Sequence, residues 1–190
     1  MIIGWIGSQG SYKTASMENV CFLYYSEFNY VIITNMNLDY PHEKLNEQLF
    51  KDSESIEKLK KKYGHSRFII AVDEIHLLMD SRQTSINAKA GKTFIISQAR
   101  KMLEEDGHFL YTTQYFNQID IRLRMNTAFI IQCALEFINF QEVVYWRLYK
   151  ENYKGDLQLY RKMAIPKEFF TLGRYERYQL IETSEDYKRG

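Results

Sequence analysis

No apolar run in this 190-residue chain approaches the roughly 18 to 20 residues that a membrane-crossing helix needs. No basic stretch leads into an apolar segment and a cleavage site, so neither a membrane span nor secretion is expected. Cysteine is scarce. Cys21 and Cys133 sit in apolar surroundings without C-x-x-C spacing, and they read as reduced core residues of an intracellular, cytoplasmic protein. An excess of either charge is missing too: 25 Lys and Arg face 24 Asp and Glu. Bulk charge therefore does not announce nucleic acid, and any DNA contact must come from local patches or pore loops. Low-complexity tracts, internal repeats and linkers are absent. The remaining composition, 45% hydrophobic and 26% charged, is that of one globular domain over 1–190, long enough to bury a real core.

What is present begins at the N-terminus. The apolar run Ile2-Ile3-Gly4-Trp5-Ile6 predicts a buried strand. It leads into Gly7-Ser8-Gln9-Gly10-Ser11-Tyr12-Lys13-Thr14 and then into a helix over 13–26, where Met17, Val20, Cys21 and Tyr24 stand near helical spacing. Strand, glycine-rich turn, Lys-Thr and helix form a nearly complete P-loop. Its backbone N–H groups and helix N-terminus make a nest for phosphates. Lys13 is placed to reach the β- and γ-phosphates, and the Thr14 hydroxyl to hold Mg2+. Residues 7–14 are thus the expected cradle of a nucleoside triphosphate, against the plainer reading of a chance glycine-rich turn. One position departs from the pattern: Tyr12 stands where glycine usually permits close phosphate approach. Its ring is free to stack on a base or to line a subunit contact.

Strands and helices alternate beyond this point. Residues 30–35 predict a second strand, 42–63 a polar helix, 67–74 a third strand, 88–105 another helix, 108–114 a fourth strand and 127–134 a fifth. The helix over 42–63 ends in Lys58, Lys60, Lys61 and Lys62, which reads as a solvated face before it reads as a DNA contact. Alternation of this kind implies a parallel sheet with right-handed crossovers. Two β-rich runs, 142–150 and 156–164, predict an antiparallel hairpin at one sheet edge. The fold class expected is α/β, a mostly parallel central sheet flanked by helices with a C-terminal antiparallel β-hairpin. A nucleotide-binding core spans 1–135, the hairpin extension 136–165 and a polar tail 166–190.

Three further groups carry chemistry. Asp73-Glu74 closes an apolar run, the Walker B arrangement. Ligands of such sheets sit beyond the carboxyl ends of the strands, so Asp73 is expected to hold Mg2+ and Glu74 to orient or deprotonate water. The alternative is a surface Asp-Glu pair. Gln114, after Thr112-Thr113, ends the fourth strand, where it is placed to sense a γ-phosphate or position water; a plain polar terminus is the alternative. Arg122 and Arg124, with Arg100, are candidates for an arginine supplied in trans to a neighbour's nucleotide, and the residues alone do not choose among them. Asp73-Glu74-Ile75-His76 also spells the D-E-x-H of two-domain helicases, for which 190 residues are too few. His76 reads as a structural or coupling residue.

Together these residues resemble the FtsK–HerA superfamily of P-loop pumping motors, whose fold is RecA-like. The closest likeness is to small viral genome-packaging ATPases and the related Zot-like assembly ATPases. The carriers are residues 7–14, Val31-Ile32-Ile33-Thr34-Asn35, Val72-Asp73-Glu74-Ile75-His76, Ser81-Arg82, Gln98-Ala99-Arg100-Lys101, Thr112-Thr113-Gln114 and Ile119-Asp120-Ile121-Arg122-Leu123-Arg124, with a weaker echo from Tyr175 to Glu185. The resemblance implies an ATPase using ATP and Mg2+, a hexameric ring, double-stranded DNA moved through a central pore, and a capsid or virion protein as a further partner. Residues 80–92, with Arg82, Lys89 and Lys92, are the pore-loop candidates, or else a surface loop. Zot-like proteins carry a membrane segment, and its absence here favours the packaging motor. The competing expectations are an assembly or export ATPase acting on protein, and a nucleotide-binding structural subunit that Tyr12 alone supports. A small-molecule kinase fits less well, because no lid-like arginine cluster is seen.

Overall fold

A computed structural model of the chain describes residues 1–45, 53–64, 67–77, 106–151, 156–170 and 175–176. The helix expected over 88–105, the pore-loop candidates at 80–92, Arg100 and most of the tail lie outside the described residues.

The elements follow as β1 (Ile2–Ile6), α1 (Lys13–Phe28), β2 (Val31–Thr34), β3 (Asn37–Leu38), β4 (Glu43–Lys44), α2 (Ser53–Tyr63), β5 (Phe68–Val72), β6 (His108–Thr113), α3 (Ile121–Asn126), β7 (Phe129–Ile138), β8 (Gln141–Glu151), β9 (Leu157–Pro166) and β10 (Tyr175–Glu176). Short 3-10 turns occur at Ile75–Leu77, Phe116–Gln118 and Lys167–Phe170. One sheet runs in the order β4-β2-β5-β6-β1-β7-β8-β9. Its pairings are parallel from β4 to β7, and β7-β8-β9 are antiparallel. A separate antiparallel pair joins β10 to β3.

Parallel strands are covered on both faces, so they read as continuous apolar runs. Every residue of β5, Phe-Ile-Ile-Ala-Val, is buried. On one face Ile33, Phe68, Ile70, Val72 and Phe109 pack with Leu123 of α3 and with Leu59 and Tyr63 of α2. On the other, Trp5, Ile32, Ile69, Leu110 and Cys133 pack beneath Met17 and Cys21 of α1. Both cysteines are buried and free, and burial pushes the Cys133 thiol up to about 12. The mostly parallel sheet, its flanking helices and the C-terminal hairpin are as expected.

The continuous helix expected over 42–63 is not observed. Glu43–Lys44 instead form an edge strand parallel to Ile33 and Thr34, and the Leu45 N–H donates to the Thr34 carbonyl at 2.7 Å. Among the described residues of this stretch, helix runs from Ser53 to Tyr63. A two-residue edge strand is held by backbone hydrogen bonds and needs no apolar alternation, so a polar sequence hides it. Helix α3 went unexpected for a related reason: six residues are too few to display a period. The fifth strand also runs four residues past its expected end, to Ile138.

Gly4 shows how tightly β1 is held. A Cβ there lies 2.5 Å from the ring and hydroxyl of Tyr111, which is fully buried and shares a 2.9 Å hydrogen bond with the Thr127 hydroxyl. Gly4→Ala is expected to cost roughly 1–3 kcal/mol of stability by overpacking. Urea unfolding measures it, and an unchanged midpoint contradicts the packing argument.

Candidate nucleotide site

Strand β6 lies between β1 and β5 and is parallel to both, with Thr113 beside Ile6 and Tyr111 beside Val72. The carboxyl ends of all three strands therefore open at the same edge of the sheet. The P-loop leaves β1 there, Asp73-Glu74 leave β5, and Gln114 leaves β6.

The P-loop turns through two left-handed residues, Gly10 at φ 79° and Tyr12 at φ 65°. The Gly7 N–H donates to the Thr113 carbonyl at 3.3 Å, and the Ser11 N–H to the Ser8 carbonyl at 3.2 Å. A Cβ on Gly7 meets the Ser11 hydroxyl at 2.4 Å and the Cys133 carbonyl at 2.6 Å, so only glycine fits without a shift. The first-turn N–H groups of α1, at Lys13, Thr14 and Ala15, have no intrahelical acceptor and sit at the positive end of the helix dipole. Ser11 is buried, and its hydroxyl has no hydrogen-bond partner.

Tyr12 adopts the conformation that glycine takes easily, at a cost of roughly 1–2 kcal/mol for an L-residue. Its carbonyl accepts from both the N–H (2.9 Å) and the hydroxyl (2.6 Å) of Ser16. Its ring lies 6.0 Å from that of Phe170, and Lys167 Nζ stands 5.9 Å from its centre. The ring thus packs within the chain, against the 3-10 turn that follows β9.

The carboxylates are tied to the loop. Asp73 Oδ1 accepts from the Thr14 hydroxyl at 2.8 Å and the Thr112 hydroxyl at 2.6 Å. Asn35, at the end of β2, brackets the Asp73 backbone: its Oδ1 accepts from the Asp73 N–H at 2.8 Å and its Nδ2 donates to the Asp73 carbonyl at 3.1 Å. Desolvation by burial raises the Asp73 carboxyl above its ordinary value. The Thr112 and Thr14 hydroxyls pull against that rise, Glu74 adds to it, and Lys13 opposes it. Glu74 stands in the left-handed region at φ 50°, its N–H donating to the Thr112 hydroxyl at 2.9 Å. Its carboxylate collects three neighbours: Lys13 Nζ at 3.1 Å, Gln114 Nε2 at 3.2 Å and His76 Nδ1 at 3.2 Å. Lys13 itself is buried.

The structure thus brings together Lys13, Thr14, Asp73, Glu74 and Gln114. It adds Thr112 and Asn35, which carry no assigned role in the sequence, and His76, which reads there as a structural or coupling residue. Polar residues at the ends of apolar strands were the available signal, and Asn35 and Thr112 both carry it. The arginines stand differently. Arg122 is held by Asp120, with Nε at 2.9 Å from Oδ1 and Nη2 at 2.8 Å from Oδ2, while Asp120 also caps α3 by accepting from the Arg122 N–H. Arg124 is half-buried on the same helix.

The donor set fits a nucleotide with Mg2+. A hydroxyl and a carboxylate oxygen in contact, Thr14 and Asp73, are hard oxygen ligands of the kind Mg2+ takes. No group of three or more His, Cys, Asp or Glu side chains that could cage a metal occurs among the described residues. The unpartnered Ser11 hydroxyl and the buried Lys13 ammonium, whose carboxylate partner is Glu74, offer a donor and a charge to phosphate oxygens.

The architecture is that of the RecA-like P-loop NTPases, and the chain resembles Zot-like and viral packaging members of that group. Among solved structures it is similar to the N-terminal domain of zonular occludens toxin from Neisseria meningitidis, at 18% identity and a TM-score of 0.57, over 92% of this chain and 98% of that one. It is similar also to the genome packaging NTPase B204 from Sulfolobus turreted icosahedral virus 2 in complex with ATP-gammaS, at 14% identity and a TM-score of 0.57, over 84% and 96%. B204 from Sulfolobus turreted icosahedral virus, a DNA-packaging ATPase, matches at 15% identity and a TM-score of 0.51, over 84% and 96%. No protein-family model and no curated protein matches the sequence.

Proposed function

We propose that this chain is an ATP-hydrolysing motor that translocates double-stranded DNA, a viral genome-packaging ATPase, with 1–190 as a single ATPase domain. The observation that carries the ATPase part of the reading is the convergence of Lys13, Glu74 and Gln114 beside the Thr14–Asp73 pair at the mouth of a P-loop; the DNA-directed part draws support from the likeness to B204. Lys13 and the loop N–H groups hold the phosphates, and Thr14 and Asp73 hold Mg2+, which supplies positive charge at the phosphate oxygens. Glu74 takes the proton from attacking water. Gln114, in contact with the Glu74 carboxylate, keeps it aimed and senses the γ-phosphate. An arginine among Arg100, Arg122 and Arg124 completes a neighbour's site in a hexameric ring. Arg122 serves only if it leaves Asp120. A capsid or virion protein receives the ring, in the host cytoplasm. No helix among the described residues is long and apolar enough to cross a membrane.

A second reading, an assembly or export ATPase acting on protein, draws support from the Zot likeness over 92% of the chain. That likeness is to the N-terminal domain of the toxin, so a membrane segment elsewhere in Zot-like proteins has no bearing on it. Steady-state ATP hydrolysis with and without double-stranded DNA, at low and moderate salt, separates the readings. A DNA motor shows stimulation that fades as salt rises. Turnover indifferent to DNA favours the protein-directed ATPase. No turnover in any condition leaves a nucleotide-binding structural subunit.

A further inference from the structure

We propose that the β8–β9 hairpin is a positioning element for the nucleotide, acting through a clamp that Tyr12, Ser16, Trp146 and Phe170 form on the P-loop. The inference rests on the nucleotide reading above.

Two contacts reach the loop, a polar one from the hairpin and an aromatic one from the turn that follows it. Trp146 Nε1, on β8, donates to the Ser16 hydroxyl at 3.0 Å, and that hydroxyl donates to the Tyr12 carbonyl. The Ser16 side chain, the middle member of this chain from indole to P-loop carbonyl, is fully buried. Phe170, on the turn after β9, lies 6.1 Å from the Trp146 ring and 6.0 Å from the Tyr12 ring. It belongs to a buried cluster with Ala15 of α1 and Val144 of β8, against which Tyr12, Trp146 and Ile165 also pack. Lys167, on the same turn, stands over the Tyr12 ring and pairs with Glu142 of β8.

The clamp explains the departure at Tyr12. A left-handed residue directly before Lys13 sets the direction in which Lys13 and the first helical N–H groups point. Glycine there is loosely held, whereas Tyr12 is fixed at both its carbonyl and its ring. Holding a loop in its binding shape lowers the ordering cost of binding. Tyr12 is thus a positioning residue whose ring faces the 3-10 turn that follows the hairpin.

Calorimetric titration of the full chain with Mg2+ and ATP-gammaS tests this, because it returns affinity and stoichiometry separately. Tyr12→Ala and Phe170→Ala are each expected to raise Kd about tenfold with stoichiometry unchanged, equivalent to about 1.4 kcal/mol of positioning. Tyr12→Phe keeps the ring and is expected within twofold of the parent. A merely structural role acts through the folded fraction, which thermal melting reads separately; a Kd raised only in proportion to a lost folded fraction, or a lower stoichiometry at unchanged Kd, overturns the clamp. So does a Kd within twofold of the parent in both alanine variants. Should Phe170→Ala fail to fold, Phe170→Leu, which keeps most of the volume, is expected to raise Kd severalfold, and an unchanged Kd counts against the proposal. If the parent itself binds no ATP-gammaS, the nucleotide reading falls and takes the clamp with it.

Discussion

Glu74→Gln is expected to lower the turnover number for ATP by about a hundredfold or more, the range for a lost general base, while nucleotide affinity stays equal or rises. The substitution keeps the shape of the side chain. It removes the base and the ion pair that Glu74 makes with Lys13 at 3.1 Å. The second loss is what moves affinity. In the structure the buried Lys13 ammonium is engaged by Glu74, and a triphosphate has to draw it away. With a neutral amide at position 74, Lys13 turns to phosphate without giving up a carboxylate. Gln114 donates to the same carboxylate at 3.2 Å, and His76 Nδ1 stands 3.2 Å from its other oxygen, so the glutamine stays near its parent position. Turnover measured beside ATP-gammaS affinity checks both halves. Undiminished turnover takes the general-base role from Glu74, and a large loss of affinity means that the residue builds the phosphate site instead.

Much of this arrangement was legible in the sequence where apolar continuity meets sharp punctuation. The run Ile2–Ile6 broken by Gly7, and the run Phe68–Val72 broken by Asp73-Glu74, each mark a buried parallel strand ending in a polar loop. The hairpin of β8 and β9 could be read because its two β-rich runs are long and close together. What could not be read depends on partners distant in the chain. Nothing local says that β6 lies between β1 and β5, yet that order brings Gln114 to the Glu74 carboxylate that Lys13 also contacts. The bracket that Asn35 places on Asp73, and the Thr112 hydroxyl shared by Asp73 and Glu74, join strand ends that only the sheet brings together. Tyr12 is the sharpest instance. Its side chain looks like a fault in a phosphate-binding motif until Phe170, near the other end of the chain, is set against it.

Asp73→Asn is expected to act in two opposite directions: ATP hydrolysis with Mg2+ falls by about a hundredfold or more, consistent with the several kcal/mol that metal-assisted charge stabilisation supplies, while the nucleotide-free protein melts higher at pH 7. The first effect follows from losing a negative oxygen next to the Thr14 hydroxyl. The second follows from desolvation. Burial, with Glu74 adding to it, raises this carboxyl above its ordinary value even though two threonine hydroxyls and Lys13 favour the ionised form. A proton is therefore held more tightly in the folded chain than in the unfolded one, and ionisation at neutral pH weighs against the fold. Asparagine leaves Oδ1 to accept from Thr14 and Thr112 and carries no charge to desolvate. Groups arranged for chemistry at the expense of stability mark functional sites. Thermal melts of the two proteins without nucleotide, paired with their hydrolysis rates, give the answer. A variant that melts lower means that the ionised Asp73 is a structural anion held by its hydroxyls, and its place as a cation ligand then loses its main energetic support.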